Sequence, residues 1–464
     1  MQRRSFLGIA GLSAAAFVLE PKRTLAGRAG RRPNIVYILA DDLGYGHLGC
    51  FGQKEIKTPA IDRMAREGMK FTDHYAGSAL CAPSRCVLMT GLHTGHCFIR
   101  NNKPLPVEGN VPIPADSQTI PKLLRKAGYK SGAMGKWGLG YPGSEGDPIK
   151  QGFDHFFGYN CQRQAHTYYP THLWRNDKKV MLEGNEQEPK TDYSHDLLTG
   201  EALKFISDNR ENPFFLYVPY TIPHAAFQVP ELGQYSDKPW PPVKKAIAAM
   251  ISRMDGDVGK ILYLVKSLGL EENTLVIFAS DNGCAGGALL NEFNGSGPLR
   301  ASKGTLYEGG IRSPMIARWP GKIDPGTTSD HICAFQDMMP TFAELAGVKV
   351  PGRTDGISIV PTLLGKGRQR RHEYLYWELK DNRAVRMGNL KAVRTKAGLQ
   401  LFDLTKDLAE KTDIAAKHPD IIERMRKIIS DSHEDSPFFT WEYSGPLPEK
   451  KPPKKRAKRT SRKK

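Results

Sequence analysis

Cys81 is followed by Ala-Pro-Ser-Arg85 and then by Cys-Val-Leu-Met-Thr90, so a thiol stands at the mouth of a predicted helix. Pro83 is tolerated in a first helical turn, and the apolar residues after Arg85 suit burial. At that place residue 81 meets the positive end of the helix dipole, and Arg85, four residues on, shares its face. The corner suits an anion with a reactive atom beside it, although a small buried cysteine with a surface arginine fits the same local pattern. A second group consists of oxygen donors: Asp41 and Asp42 in Asp-Asp-Leu-Gly, and Asp281 and Asn282 in Asp-Asn-Gly, with no histidine or cysteine beside them. Such donors suit calcium or magnesium and not zinc or copper. Turn and cap chemistry favours the same residue types, but two such clusters, each directly after a buried strand, shift the odds towards a metal. The third group is Arg85, Lys136, His224 and Lys303. A doubly charged tetrahedral anion needs a cation, several donors and a proton donor for the leaving oxygen, and this collection contains all of them.

Groups so far apart in sequence need a scaffold that gathers them. Asn34-Ile-Val-Tyr-Ile-Leu-Ala40 is a nearly unbroken apolar run of strand formers, repeated in kind at Pro213-Phe-Phe-Leu-Tyr-Val-Pro219 and Thr274-Leu-Val-Ile-Phe-Ala-Ser280. Runs of this type are buried parallel strands. Helical patterns lie between them, at Thr119 to Lys126 and Pro241 to Leu268, which predicts an α/β fold with a mostly parallel sheet covered on both faces. Asp41-Asp42 and Asp281-Asn282 directly follow two of these strands, His224 comes four residues after Tyr220, and Lys136 follows the segment Tyr129 to Met134. Ligands of open α/β sheets bind at the carboxyl ends of the strands, so the four groups are expected to converge. After Pro361-Thr-Leu-Leu-Gly the chain becomes basic and irregular, then alternates in short runs near 373–378, 383–387, 390–394 and 399–404, with a helical pattern from Pro419 to Ser430. That predicts a small antiparallel sheet with a helix on one face.

The 464 residues are 39% hydrophobic and 25% charged, and no apolar run approaches the roughly 20 residues that span a bilayer. Arg3-Arg4-Ser-Phe-Leu followed by a short apolar stretch and Thr24-Leu-Ala26 reads as an export signal of twin-arginine type, which implies the twin-arginine (Tat) export machinery as a partner and a periplasmic or secreted protein. The expected organisation is a signal over residues 1–30, a catalytic domain over 31–367, a C-terminal sheet subdomain over 368–444 and a disordered basic tail over 445–464. The formal charge of +18 sits at the ends: residues 1–32 carry +6 and Lys450 to Lys464 carry +10, which leaves +2 for the body. No nucleic-acid partner is therefore expected. The seven cysteines show no zinc-binding spacing, and their odd number leaves at least one unpaired, expected to be Cys81.

Cys81-Ala-Pro-Ser-Arg85 with Thr90-Gly91 resembles the signature of type I sulfatases in the alkaline phosphatase superfamily. Asn34 to Gly44 resembles that family's opening strand and metal loop, Gly135-Lys136-Trp137-Gly138-Leu139-Gly140 a second block, Pro223-His224 a third, Ser280 to Gly283 a fourth, and Lys303 through Pro314 a fifth, all collinear. The resemblance implies an alkaline-phosphatase-like fold, hydrolysis of sulfate esters on sulfated polysaccharide or oligosaccharide, and oxidation of Cys81 to formylglycine by a formylglycine-generating enzyme. It further implies one calcium ion held by Asp41, Asp42, Asp281, Asn282 and the modified residue 81. Calcium and Arg85 then polarise the hydrated aldehyde, while Lys136, Lys303 and His224 bind the sulfate and assist departure of the alcohol. A serine or an unmodified cysteine could not expel sulfate by collapsing to an aldehyde. Gly138 departs from the family's second block, which commonly has a histidine there, and His166 is the nearest candidate in sequence to replace it or to bind substrate. The aromatic loop Ala165 to Arg175, with Tyr168, Tyr169, His172 and Trp174, is a candidate sugar-facing surface. The rival readings are a phosphodiesterase or phosphonate monoester hydrolase of the same superfamily, and an inactive relative that binds sulfated glycans.

Overall fold

The protein is described by a computed structural model covering residues 32–436, 438 and 439; the expected signal segment and basic tail lie outside the described residues. Among the described residues sixteen strands form: β1 Asn34–Ala40, β2 Met69–Phe71, β3 His74–Tyr75, β4 Lys130–Lys136, β5 His155–Tyr159, β6 His172–Arg175, β7 Lys178–Met181, β8 Phe214–Pro219, β9 Thr274–Ser280, β10 Met315–Arg318, β11 Thr327–Ser329, β12 Cys333–Ala334, β13 Leu375–Leu379, β14 Asn382–Met387, β15 Leu390–Thr395 and β16 Gly398–Asp403. The α-helices are α1 Pro59–Arg66, α2 Cys81–Thr90, α3 Ile120–Arg125, α4 Ser194–Asp208, α5 Pro242–Ser267, α6 Ala288–Phe293, α7 Glu308–Ile311, α8 Met338–Ala346, α9 Val360–Leu364 and α10 Pro419–Asp431.

Ten strands make one mixed sheet in the order β11-β2-β10-β9-β1-β8-β4-β5-β6-β7. Its centre, from β9 through β1, β8 and β4 to β5, is parallel, and the antiparallel pairings lie towards the two edges. The unbroken apolar run of β1 follows from burial on both faces. Ile35, Tyr37 and Leu39 pack into one core with residues of α2, α3 and α8, while Val36, Ile38 and Ala40 pack into a second core with α1, α4 and α5. Alternation of side chains along a strand divides them this way. Each fully buried aliphatic side chain of that run contributes about 1.5–3 kcal/mol.

The four C-terminal strands pair in sequence order as an antiparallel sheet. One face carries Trp377, Leu379, Ala384, Val393 and Phe402 against Tyr75, Ala79, Leu306 and Ile311 of the main body. The other carries Tyr376, Val385, Ala392 and Leu401 against Met425, Ile428 and Ile429 of α10. The Trp377 indole donates to the Ala76 carbonyl at 3.0 Å, so this sheet braces the chain just ahead of Cys81. All seven cysteines are free thiols, and no helix among the described residues is long and apolar enough to cross a membrane.

Candidate active site

The parallel centre of the sheet ends on one edge, and the predicted residues meet there. Asp41 and Asp42 leave β1, Asp281 and Asn282 leave the adjacent β9, Lys136 closes β4, and His224 lies five residues past β8. Backbone bonds extend the sheet into these loops: Asp41 N–H donates to Ile222 O at 2.9 Å, and Asp281 N–H to Ala40 O at 3.0 Å. Asp42 adopts a left-handed φ of 67°, a conformation that Asp tolerates better than most residues, and its N–H donates to Asp281 Oδ1 at 3.2 Å.

Cys81 is the first residue of α2, as its position before Pro83 predicts, and its side chain is buried. The next backbone amide, Ala82 N–H, donates to Asn102 Oδ1 at 3.0 Å. The Cys81 Sγ lies 3.7 Å from Asp41 Oδ1 and 3.3 Å from the Lys303 amine. Arg85 donates from Nε and Nη2 to Asp281 Oδ2 at 3.1 and 2.7 Å, and from Nη1 to the Lys136 carbonyl at 2.6 Å. The Lys136 amine is 2.5 Å from Asp41 Oδ2, and the Lys303 amine 2.6 Å from Asp42 Oδ1. His224 Nε2 lies 3.5 Å from Asp42 Oδ2.

Burial and charge act against each other here. Burial would raise the Asp41 carboxyl, but Lys136, His224 and Arg85 hold it well below the usual carboxylate range. Asp281 is pushed up, by burial and then by the Asp41 charge. Burial pushes the Cys81 thiol up to about 11 despite Lys136 and Lys303, so at neutral pH it is not a thiolate. The residues present fit a hard cation. One ligand atom each from Asp41, Asp42 and Cys81 lie within 4.8 Å of one another, and Asn282 Oδ1 is buried without a hydrogen-bond partner in the protein. Three buried carboxylates in contact favour a positive charge among them.

His166 stands apart from the carboxylates and stacks on His224, ring centroids 4.3 Å apart and planes 16° apart. Burial, then the His224 charge, lower it to about 4. The expectation that Tyr168 faces sugar is overturned: it is fully buried, and its hydroxyl donates to the carbonyls of Thr221 and His224 at 2.6 and 2.8 Å. It therefore clamps the loop that carries His224. Trp174 and His172 remain partly exposed, each hydrogen-bonded to Glu108. Asn102 and Tyr168 are the site-shaping residues the sequence did not single out for these roles. Each acts through a loop contact that leaves no periodic signal.

The fold and this cluster have counterparts among known proteins. A family model described as Sulfatase matches residues 33–348, and one described as N-sulphoglucosamine sulphohydrolase, C-terminal, matches residues 301–435. N-acetylgalactosamine-6-sulfatase of Mus musculus is 36% identical over 405 residues, which cover 81% of this chain and 74% of that one. Arylsulfatase A of Homo sapiens is 33% identical over 431 residues, covering 86% and 82%. The crystal structure of Ps i-CgsB in complex with k-i-k-neocarrahexaose superposes with a TM-score of 0.77 at 32% identity, covering 87% of this chain and 93% of that chain.

Proposed function

This chain belongs to the sulfatase family and hydrolyses sulfate esters, and we propose that it does so on sulfated carbohydrate with a nucleophile made by converting Cys81 to formylglycine. The observation that carries the proposal is the convergence of Asp41, Asp42 and Asp281 with Arg85, Lys136 and Lys303 around residue 81 at one sheet edge. The thiol held up to about 11 supports a role for Cys81 as precursor and not as thiolate. The sulfated-sugar reading draws on the relatives, one an N-acetylgalactosamine-6-sulfatase and another a structure bound to a neocarrahexaose.

Calcium, held by Asp41, Asp42, Asp281, Asn282 and residue 81, would offset the carboxylate charge and polarise the oxygen carried by residue 81. The chain's own groups supply the rest. Arg85, tied to Asp281 and to the Lys136 carbonyl, keeps a fixed positive charge beneath residue 81. The Lys136 and Lys303 amines, both protonated against the carboxylates, bind the sulfuryl oxygens. His224, half-buried at the mouth, holds the proton for the departing alcohol oxygen. Its loop is anchored by Tyr168.

The paired arginines near the start support export by the twin-arginine route to the periplasm or beyond, and the modification requires a formylglycine-generating enzyme as partner. The test combines the mass of the peptide containing residue 81 with sulfate release from a panel of monosulfated sugars. Conversion of residue 81 together with release from at least one sugar is expected. An active preparation that carries only unmodified cysteine would overturn the nucleophile.

A further inference from the structure

We propose that Gln162, three residues past β5, supplies a hydrogen-bond donor from the space beside Gly138, and that its carboxamide positions an oxygen of the reacting group at residue 81. The inference rests on the sulfate-ester reading above and concerns a residue which that reading leaves without a role.

Lys136 and Gly138 share a face of the β4 edge. Side chains alternate along a strand, and here Ala133 and Trp137 enter one core while Met134 enters the other, with Lys136 and Gly138 in the same phase as Met134. Lys136 on that face reaches Asp41 at 2.5 Å. The pairing of β4 with β5 runs on past the strands, with Trp137 N–H donating to Tyr159 O at 2.9 Å and Gly138 N–H to Asn160 O at 3.3 Å. Gln162 follows two residues later. Gly138 has a φ of 79°, and a Cβ added there would stand 3.0 Å from Gln162 Nε2 and 3.2 Å from its Cγ. The carboxamide thus occupies the space into which a side chain at 138 would begin to grow.

That carboxamide has unused bonding capacity. Gln162 is 6% exposed, and its Nε2 has no hydrogen-bond partner in the protein. A buried donor without a partner has lost its water without compensation, which favours its pairing with a group brought by the reaction. Its backbone is held from the side of the nucleophile, because Gln162 N–H donates to Asn110 Oδ1 at 3.1 Å. Asn110 closes a short loop through its bridge with Pro104, and Asn102, two residues ahead of Pro104, is the residue that accepts from Ala82 N–H beside Cys81. His166, in contrast, is engaged in its stack on His224.

The acceptor is an oxygen either of the bound sulfuryl group or of the hydroxyl carried by converted residue 81. Gln162→Leu keeps the bulk and removes the donor, and should lower kcat/KM for the best substrate of the monosulfated panel about 100-fold. Titration with inorganic sulfate then separates the two sources: a weakened affinity assigns the sulfuryl oxygen, and an unchanged affinity with a fall confined to kcat assigns the hydroxyl. A loss of less than about threefold with unchanged sulfate affinity overturns the proposal.

A swap supplies a readout that a merely structural glutamine would not move. Histidine tolerates a positive φ better than most residues. Gly138→His alone should lower the melting temperature by displacing Gln162. Combined with Gln162→Gly it should restore the melting temperature and recover about tenfold of the activity that Gln162→Gly loses. A double variant no better than Gln162→Gly, in melting temperature and in rate, overturns the shared place. A converted wild-type protein that releases no sulfate from the whole panel defeats the sulfatase reading instead. In that event the sulfate affinities and melting temperatures still decide the part concerning Gln162.

Discussion

The Lys136 amine sits 2.5 Å from Asp41 Oδ2, both without solvent exposure, although 95 residues separate them in sequence. The pair exists because β4 and β1 flank β8 in parallel and end on the same edge. Removing one member of a buried pair leaves the other uncompensated, at a cost of about 3–5 kcal/mol. Lys136→Met should lower stability by that order without calcium and by less with it, since a bound cation takes over the neutralisation of Asp41. Wild type should gain about 2.7 kcal/mol when calcium is present at a hundredfold excess over its Kd. Thermal unfolding with calcium and with a chelator checks both statements, and melting temperatures indifferent to calcium would remove the proposed ion.

Arg85 makes three hydrogen bonds in a fixed fork, two to one oxygen of Asp281 and one to the Lys136 carbonyl. A lysine offers one point charge and cannot reproduce that geometry. Arg85→Lys is therefore expected to lose about 100-fold or more in kcat/KM, with residue 81 still converted as read by peptide mass. Retention of half the wild-type rate would show that the charge alone suffices.

Much of this arrangement was legible in the sequence because burial on both faces writes itself as unbroken apolar runs. The runs read at 34–40 and 274–280 coincide with β1 and β9, and the polar pairs just beyond them are the cluster's carboxylates and amide. The alternating runs after residue 372 became β13 to β16 for the complementary reason, a period of two between two cores. What stayed hidden was set by distant loops. The hairpin of β6 and β7 carries exposed Arg175, Lys178 and Lys179 and shows no apolar period. Tyr168 read as an aromatic face for sugar, and only its contacts with Thr221 and His224 reveal a clamp.

Glu308 and Glu410 flank the fully buried Lys391 at 2.8 and 3.0 Å, yet they should respond differently to neutralisation. Burial would raise Glu308, but Lys391, Arg312 and Arg386 outweigh it and hold the carboxyl down to about 2. Glu410 is pushed up, first by burial, and accepts from the Glu308 N–H at 2.7 Å, a bond that a glutamine oxygen can keep. Glu308→Gln should cost about 3–5 kcal/mol and Glu410→Gln less, because the glutamine gives up only the contact with Lys391. The depressed Glu308 contributes stability that is present above its unfolded pKa of about 4.3 and is lost as pH falls towards 2. Urea unfolding at pH 6, 4 and 3 should show a shallower acid loss in Glu308→Gln than in wild type. Equal costs for the two variants would contradict the asymmetry.

His47 and His74 are buried imidazoles that burial lowers to about 4. His47 Nδ1 accepts from Gly44 N–H at 2.9 Å, and its Nε2 donates to Leu289 O at 3.0 Å, so the neutral ring fixes the turn that follows Asp42. A second proton would break the bond from Gly44. The sign follows from the depressed value: the unfolded chain takes up protons at these rings below about pH 6.5, while the folded chain resists until about pH 4, so stability falls through that window. Going from pH 7 to pH 5 should remove about 1–2 kcal/mol per ring. His47→Gln places an amide where the neutral ring stood and should flatten part of that slope, while lowering stability at pH 7 through imperfect packing. Stability measured by urea unfolding across pH 7 to 4.5 decides it, and a slope unchanged by His47→Gln would mean that this ring takes up its proton alike in the folded and unfolded chain.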